Sequence, residues 1–129
     1  MATILIIEDE VPIRDNLRQL LQLEGYVVLE AADGVSGIEV AVTSRPDLIL
    51  CDILMPGVDG YGVLAELRGN PDLAATPFVF LTASASLEDR SQALKRGADD
   101  YLIKPVKIAD LLAAIKRQLD KKTNAGTSP

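Results

Sequence analysis

An α/β fold with one parallel sheet of five strands and helices on both faces is predicted by two observations. Strand-like runs and helical patterns alternate about five times along the 129 residues. Apart from the second, the strand-like runs are continuously apolar rather than alternating, as expected of parallel strands covered on both sides. Short connections imply right-handed crossovers. For five strands the natural order is then 2-1-3-4-5, with ligands binding outside the carboxyl ends of strands 1 and 3, where the order reverses.

The first strand is placed at Thr3–Ile7 and ends on Glu8-Asp9. A helix follows, started by Pro12 and stopped by Gly25, with Ile13, Leu17, Leu20 and Leu21 forming one apolar stripe. The second strand is placed at Tyr26–Glu30, and Asp33 is the N-cap candidate for the second helix. The third strand, Asp47–Cys51, delivers Asp52, and Asp59 is positioned to cap the third helix. The fourth strand, Pro77–Leu81, delivers Thr82. The helix after it, about Ser86 to Arg96, has Ser86 as N-cap with Asp89 three residues on, and Gly97 as C-cap. It is the least amphipathic of the five, which suits either a helix that must shift or simply a short surface helix. The fifth strand, Asp100–Ile103, delivers Lys104. Ile108, Leu111, Leu112, Ile115 and Leu119 stripe the last helix. Together these elements form a flavodoxin-like (βα)5 domain over residues 2–121, with 122–129 a linker or disordered tail.

Composition fits an ordinary globular domain, 48% hydrophobic and 25% charged. A net charge of −6 and a pI near 4.6 argue against direct nucleic-acid binding and against an acidic membrane surface. Cys51 lies inside an apolar run with no disulfide partner, so it reads as a small buried hydrophobe in a reducing cytoplasm. The short N-terminal run carries no basic leader or cleavage site, and no segment is long enough to span a bilayer.

A lone carboxylate at the mouth of a buried strand is costly unless something there uses it. In the order 2-1-3-4-5, Glu8, Asp9, Asp52, Thr82 and Lys104 converge at one edge. Three carboxylates packed together raise one another's pKa unless a cation intervenes. Oxygen donors without His or a Cys cluster point to a hard cation, and Mg²⁺ is favoured over Ca²⁺ because no Ca²⁺-loop spacing is present. The carbonyl of Leu54 is a further candidate ligand. Asp52 could then attack phosphorus, with Thr82 and Lys104 each contacting a phosphoryl oxygen. Taken singly each signal has a plain structural explanation: Glu8-Asp9 as helix-start decoration, Thr82 as a strand end, Lys104 as a solvated lysine.

The segments Ile6-Ile7-Glu8-Asp9-Glu10, Asp52-Ile53-Leu54-Met55-Pro56-Gly57-Val58-Asp59-Gly60, Leu81-Thr82-Ala83 and Tyr101-Leu102-Ile103-Lys104-Pro105 resemble response-regulator receiver domains of two-component signalling. The resemblance implies that Asp52 is the phosphoacceptor for a phosphohistidine on a sensor histidine kinase or a phosphotransfer protein. It implies Mg²⁺ held by Asp9, Asp52 and the Leu54 carbonyl, with Glu8 acting through water. Thr82 and Tyr101 form the switch pair, Lys104 contacts the phosphoryl group, and the bond to Pro105 is cis. Ala83 fits the small residue that keeps the acceptor open. The face of helix 4, strand 5 and helix 5 would change shape on phosphorylation and control a partner or output domain. Such a domain is a signalling phosphoacceptor, not an enzyme acting on external substrates.

Two departures stand out. Leu54 is apolar where many relatives carry a polar side chain near the attacking water, which implies slow self-dephosphorylation. Ala114 stands where one large subfamily of DNA-binding regulators has the arginine that supports pairing through helices 4 and 5. Rival readings are an aspartyl-nucleophile phosphatase of the haloacid-dehalogenase type, disfavoured because Leu54 replaces its second Asp, and a mononucleotide binder, disfavoured because Glu8-Asp9-Glu10 would repel phosphate. A phosphate-independent interaction module is the third.

Overall fold

The computed structural model describes the backbone of residues 1–127 and the side chains of residues 1–121. Five strands, β1 (Thr3–Ile7), β2 (Val27–Ala31), β3 (Leu48–Asp52), β4 (Phe78–Thr82) and β5 (Asp100–Ile103), alternate with five helices. These are α1 (Val11–Leu23), α2 (Gly34–Ser44), α3 (Gly60–Arg68), α4 (Leu87–Lys95) and α5 (Ile108–Thr127). All strand pairs are parallel and the order is β2-β1-β3-β4-β5, the flavodoxin-like doubly wound sheet. Helix α5 carries the backbone past Lys121 into the stretch expected to be linker, and the rest of 122–129 lies outside the described residues.

Continuous apolar strands arise because alternate residues enter two separate cores. Ile4, Ile6, Leu48, Leu50, Val79 and Leu81 pack with Leu17 and Leu21 of α1 and Leu111 and Ile115 of α5. Leu5, Ile7, Ile49, Cys51, Phe78 and Phe80 face the other way, against Ala41 of α2, Val63, Leu64 and Leu67 of α3, and Ala93 of α4. The edge strand β2 is only partly covered, which explains its interrupted pattern.

Three strands sit one residue later than the sequence pattern placed them, so Asp52 and Thr82 are the last residues of β3 and β4 rather than the first of their loops. Both are ladder members, Asp52 opposite Leu81 and Thr82 opposite Ile103. The caps fall as expected. Asp33, Asp59 and Ser86 accept from the backbone N–H groups of Ser36, Gly62 and Asp89. Gly97, at φ +109°, closes α4: its N–H donates to Leu94 and that of Ala98 to Ala93, the paired bonds of a left-handed helix stop. Ala93 is the one buried residue of α4, in keeping with the weak amphipathicity of its sequence. Among the described residues no helix is long and apolar enough to cross a membrane.

Candidate functional site

The strand register assembles the site. Ile7 pairs with Cys51, Asp52 with Leu81, and Thr82 with Ile103, so the residues at and just beyond these positions are Glu8, Asp52, Thr82 and Lys104 along one edge. The Lys104 N–H donates to the Thr82 carbonyl at 2.7 Å and extends the ladder. The Lys104–Pro105 peptide is cis.

Carboxylate oxygens of Glu8, Asp9 and Asp52 all lie within 4.8 Å of one another. Glu8 is fully buried, Asp52 is 7% exposed and Asp9 is half-buried. The N-cap of α1 is Glu10, which makes no capping bond with its own side chain, while Glu8 Oε2 accepts from the Glu10 N–H at 3.5 Å. The Lys104 ammonium sits between two of the acids, 2.6 Å from Glu8 Oε1 and 3.2 Å from Asp52 Oδ2. Burial, reinforced by the charge of Asp52 and opposed by Lys104, pushes the Glu8 carboxyl up to about 7. For Lys104, burial disfavours the charged ammonium, but the hydrogen bond to Glu8 and the fields of both acids outweigh it and its pKa is raised. One lysine thus faces three carboxylates, leaving a deficit of positive charge amid hard oxygen donors. That donor set fits Mg²⁺.

Around this cluster the chain makes close approaches. A Cβ at Gly60 would stand 2.5 Å from the Asp52 carbonyl oxygen and 2.9 Å from the Phe80 ring, so only glycine lets α3 begin against the site. The Leu54 side chain is 75% exposed, and with Met55, Pro56, Gly57 and Asp59 it rims a hollow of about 410 Å³. Thr82 is 4% exposed, its oxygen accepting from the Ser84 N–H at 3.2 Å. Ala83 is exposed. Tyr101 is turned inward, 3% exposed, and its hydroxyl donates to the Ser84 carbonyl at 3.0 Å. Cys51 is fully buried beside the acids, and burial pushes its thiol well up. Ala114 is 1% exposed, so it lies in the core; on the outer face Arg117 pairs with the Asp100 carboxylate.

Sequence reasoning missed three residues. Arg14 donates to the Glu8 carbonyl at 2.7 Å and holds the loop after β1. Arg68 ties the carbonyls of Ala74, Thr76 and Gly97 to the Asp99 carboxylate. Ser84 joins Thr82 to Tyr101. Each is a polar residue in a polar stretch and leaves no periodicity to read.

The fold and the acidic edge are those of a response regulator, and the chain belongs to the response regulator receiver domain family, whose model matches residues 4–116. It is a signalling phosphoacceptor module of two-component systems, and its Glu8, Asp9 and Asp52 pocket is consistent with a phosphoaspartate site. Among curated proteins it is 40% identical over 119 residues to the DNA-binding dual master transcriptional regulator RpaA of Synechocystis, covering 92% of this chain and 49% of that protein. It is 40% identical over 116 residues to the response regulator MprA of Mycobacterium tuberculosis, covering 90% and 50%. The chain therefore spans about half the length of these relatives. Among solved structures, the receiver domain of the sensor histidine kinase PA1611 from Pseudomonas aeruginosa superposes with a TM-score of 0.85 at 34% identity. That match covers 92% of this chain and 98% of that one, and that structure holds a magnesium ion in its active-site cleft. A CheY-like receiver domain protein from Methanospirillum hungatei reaches 0.89 at 34% identity, covering 97% and 98%.

Proposed function

We propose that Asp52 accepts a phosphoryl group from a phosphohistidine on a sensor histidine kinase or histidine phosphotransfer protein, in a Mg²⁺-dependent step. The observation that carries this reading is the Lys104 ammonium held between Glu8 and Asp52 at 2.6 and 3.2 Å, beside the three-carboxylate cluster. An Asp52 oxygen attacks phosphorus. The new O–P bond forms as the P–N bond breaks, and the imidazole nitrogen keeps that electron pair and takes up a proton from solvent. Lys104 ion-pairs with one phosphoryl oxygen and the Thr82 O–H, which donates to no other group among the described residues, turns to another. Ala83 presents only a methyl and leaves the approach open. Glu8, Asp9, Asp52 and the Leu54 carbonyl would hold Mg²⁺, which when bound neutralises charge building on the transferred oxygens.

Phosphorylation adds about −1.5 to −2 charges at this edge. Thr82 is drawn toward them, which favours the inward position that Tyr101 already holds here, and the face of α4, β5 and α5 responds. That face carries a hollow of about 460 Å³ rimmed by Arg90, Lys107 and Arg117 with Asp100 and Asp110, open to a partner or output domain. A longer protein with a DNA-binding output, as in RpaA, fits the half-length match. The receiver itself makes no nucleic-acid or membrane contact and works in the cytoplasm. Leu54, in place of a second acid, disfavours turnover on external phosphoesters.

Labelled acetyl phosphate with Mg²⁺ tests this. Labelling should approach one phosphoryl group per chain and vanish without Mg²⁺ or in Asp52→Asn. Multiple turnover without a labelled chain would instead indicate a phosphatase, and label persisting in Asp52→Asn would indicate another acceptor.

A further inference from the structure

Four hydrogen bonds converge on Ser84, in the loop between β4 and α4. Its N–H donates to Thr82 Oγ1 at 3.2 Å, and its carbonyl accepts from the Tyr101 hydroxyl at 3.0 Å. Its own hydroxyl donates to Asp89 Oδ2 at 2.6 Å and accepts from the Ser86 N–H at 3.3 Å. The residue thus touches both members of the switch pair and, through Asp89, the first turn of α4.

This linkage sits where α4 has little else to hold it. Toward its C-terminus the helix buries Ala93, lays Arg96 over the Tyr61 ring at 4.5 Å, and closes on Gly97. At its N-terminus Leu87 is 84% exposed, and the anchoring is polar. In an ordinary capping box the acid at the third helical position reaches back to the N-cap's own N–H. Here the Ser84 hydroxyl stands between them, bonded to Asp89 on one side and to the Ser86 N–H on the other. Ser86 still accepts from the Asp89 N–H, but the acid's half of the box runs through Ser84, so the start of α4 is fastened to Ser84 as well as to its own cap.

We propose that Ser84 is the positioning residue that carries the response of Thr82 into α4, its hydroxyl acting on the helix through Asp89. The proposal rests on the phosphoacceptor reading of Asp52. When the Thr82 hydroxyl moves to a phosphoryl oxygen, the N–H bonded to it draws Ser84 along. The bond to Asp89 brings the first turn of α4 with it, and the Tyr101 hydroxyl follows the Ser84 carbonyl.

Amide hydrogen exchange of the first turn of α4, residues 87–90, in the whole chain tests this, with and without acetyl phosphate and Mg²⁺. Wild type should show a phosphorylation-dependent change in that turn. Ser84→Ala should exchange several-fold faster there before phosphorylation and keep less than a third of the change, with Asp52 labelling within twofold of wild type. Ser84→Thr and Asp89→Asn, which keep a donor and an acceptor, should restore most of the response, and Asp89→Ala should not. A full response in both Ser84→Ala and Asp89→Ala overturns the proposal. So does unaltered exchange of the unphosphorylated Ser84→Ala protein, a comparison that needs no phosphodonor. Absence of label on wild-type Asp52 would bring down the underlying reading instead.

Discussion

The flank of the site formed by β1 and β3 and the flank formed by β4, α4 and β5 are held in different ways. On the first, every residue of β3 is buried, Glu8 is fully enclosed, and Gly60 lets α3 begin against the Asp52 carbonyl. On the second, Thr82 and Tyr101 are buried, but they meet at Ser84 in a loop that leads to a helix with one buried residue. Apolar packing and the Lys104 ion pairs fix the acids, whereas hydrogen bonds hold the loop and first turn of α4, the elements we propose to respond. Chemistry needs groups fixed to within a fraction of an ångström, while a switch needs an element whose two positions differ little in free energy. The division suits both needs.

The largest expected effect is on the packed flank. Lys104→Ala leaves Glu8 and Asp52 together with no cation, and breaking a buried pair by removing one partner is strongly destabilising. Because the Lys104 side chain is 19% exposed and Glu8 can take up a proton, we expect a loss of about 3 kcal/mol at pH 8 and less at pH 6. Added Mg²⁺ should recover part of it. Urea unfolding checks this, and a loss under about 0.5 kcal/mol would mean that the acids are not tightly held.

Next comes pH. The Glu8 carboxyl sits at about 7 in the folded chain against an ordinary 4.5. Between these values the native state keeps a proton that the unfolded chain has released, so metal-free stability falls as pH rises across the window. The fall should be on the order of 2 kcal/mol, should be absent in Glu8→Gln, and should be offset by Mg²⁺, which favours the ionised form. A wild-type profile parallel to that of Glu8→Gln would remove Glu8 from the argument.

These two effects were only partly legible in the sequence. Four strand ends delivering Glu8-Asp9, Asp52, Thr82 and Lys104 could be read because strands buried on both faces give unbroken apolar runs that stop abruptly at polar residues. That Asp52 and Thr82 belong to the ladder could not, because pairing with Leu81 and Ile103 is a tertiary fact. The weakness of α4 was readable from its scarcity of large apolar residues. Ser84, Arg14 and Arg68 were not, since their roles depend on loop carbonyls whose positions follow from the assembled fold.

Leu54 tests the rim between the flanks. Its side chain is 75% exposed, so Leu54→Asn should cost little stability while placing a polar group beside the phosphoryl site. Decay of phosphorylated protein should quicken several-fold, worth about 1 kcal/mol of barrier. An unchanged decay rate would show that the attacking water does not pass this side chain.

The finest test applies one chemistry to both flanks. Asp59 caps α3 by accepting from the Gly62 N–H at 2.9 Å, and Ser86 caps α4 by accepting from the Asp89 N–H at 3.3 Å. Replacing a cap by alanine typically costs about 1 kcal/mol, but where that cost is felt depends on what the helix buries. Helix α3 encloses Val63, Leu64 and Leu67, so Asp59→Ala should lower the global unfolding free energy by the full amount. Helix α4 encloses Ala93 alone, so in Ser86→Ala its first turn should fray without the rest. Amide exchange there should rise up to tenfold while the global loss stays under about 0.5 kcal/mol. Equal global losses would show that α4 unfolds with the core, and an element so tied could not serve as the yielding side of the switch.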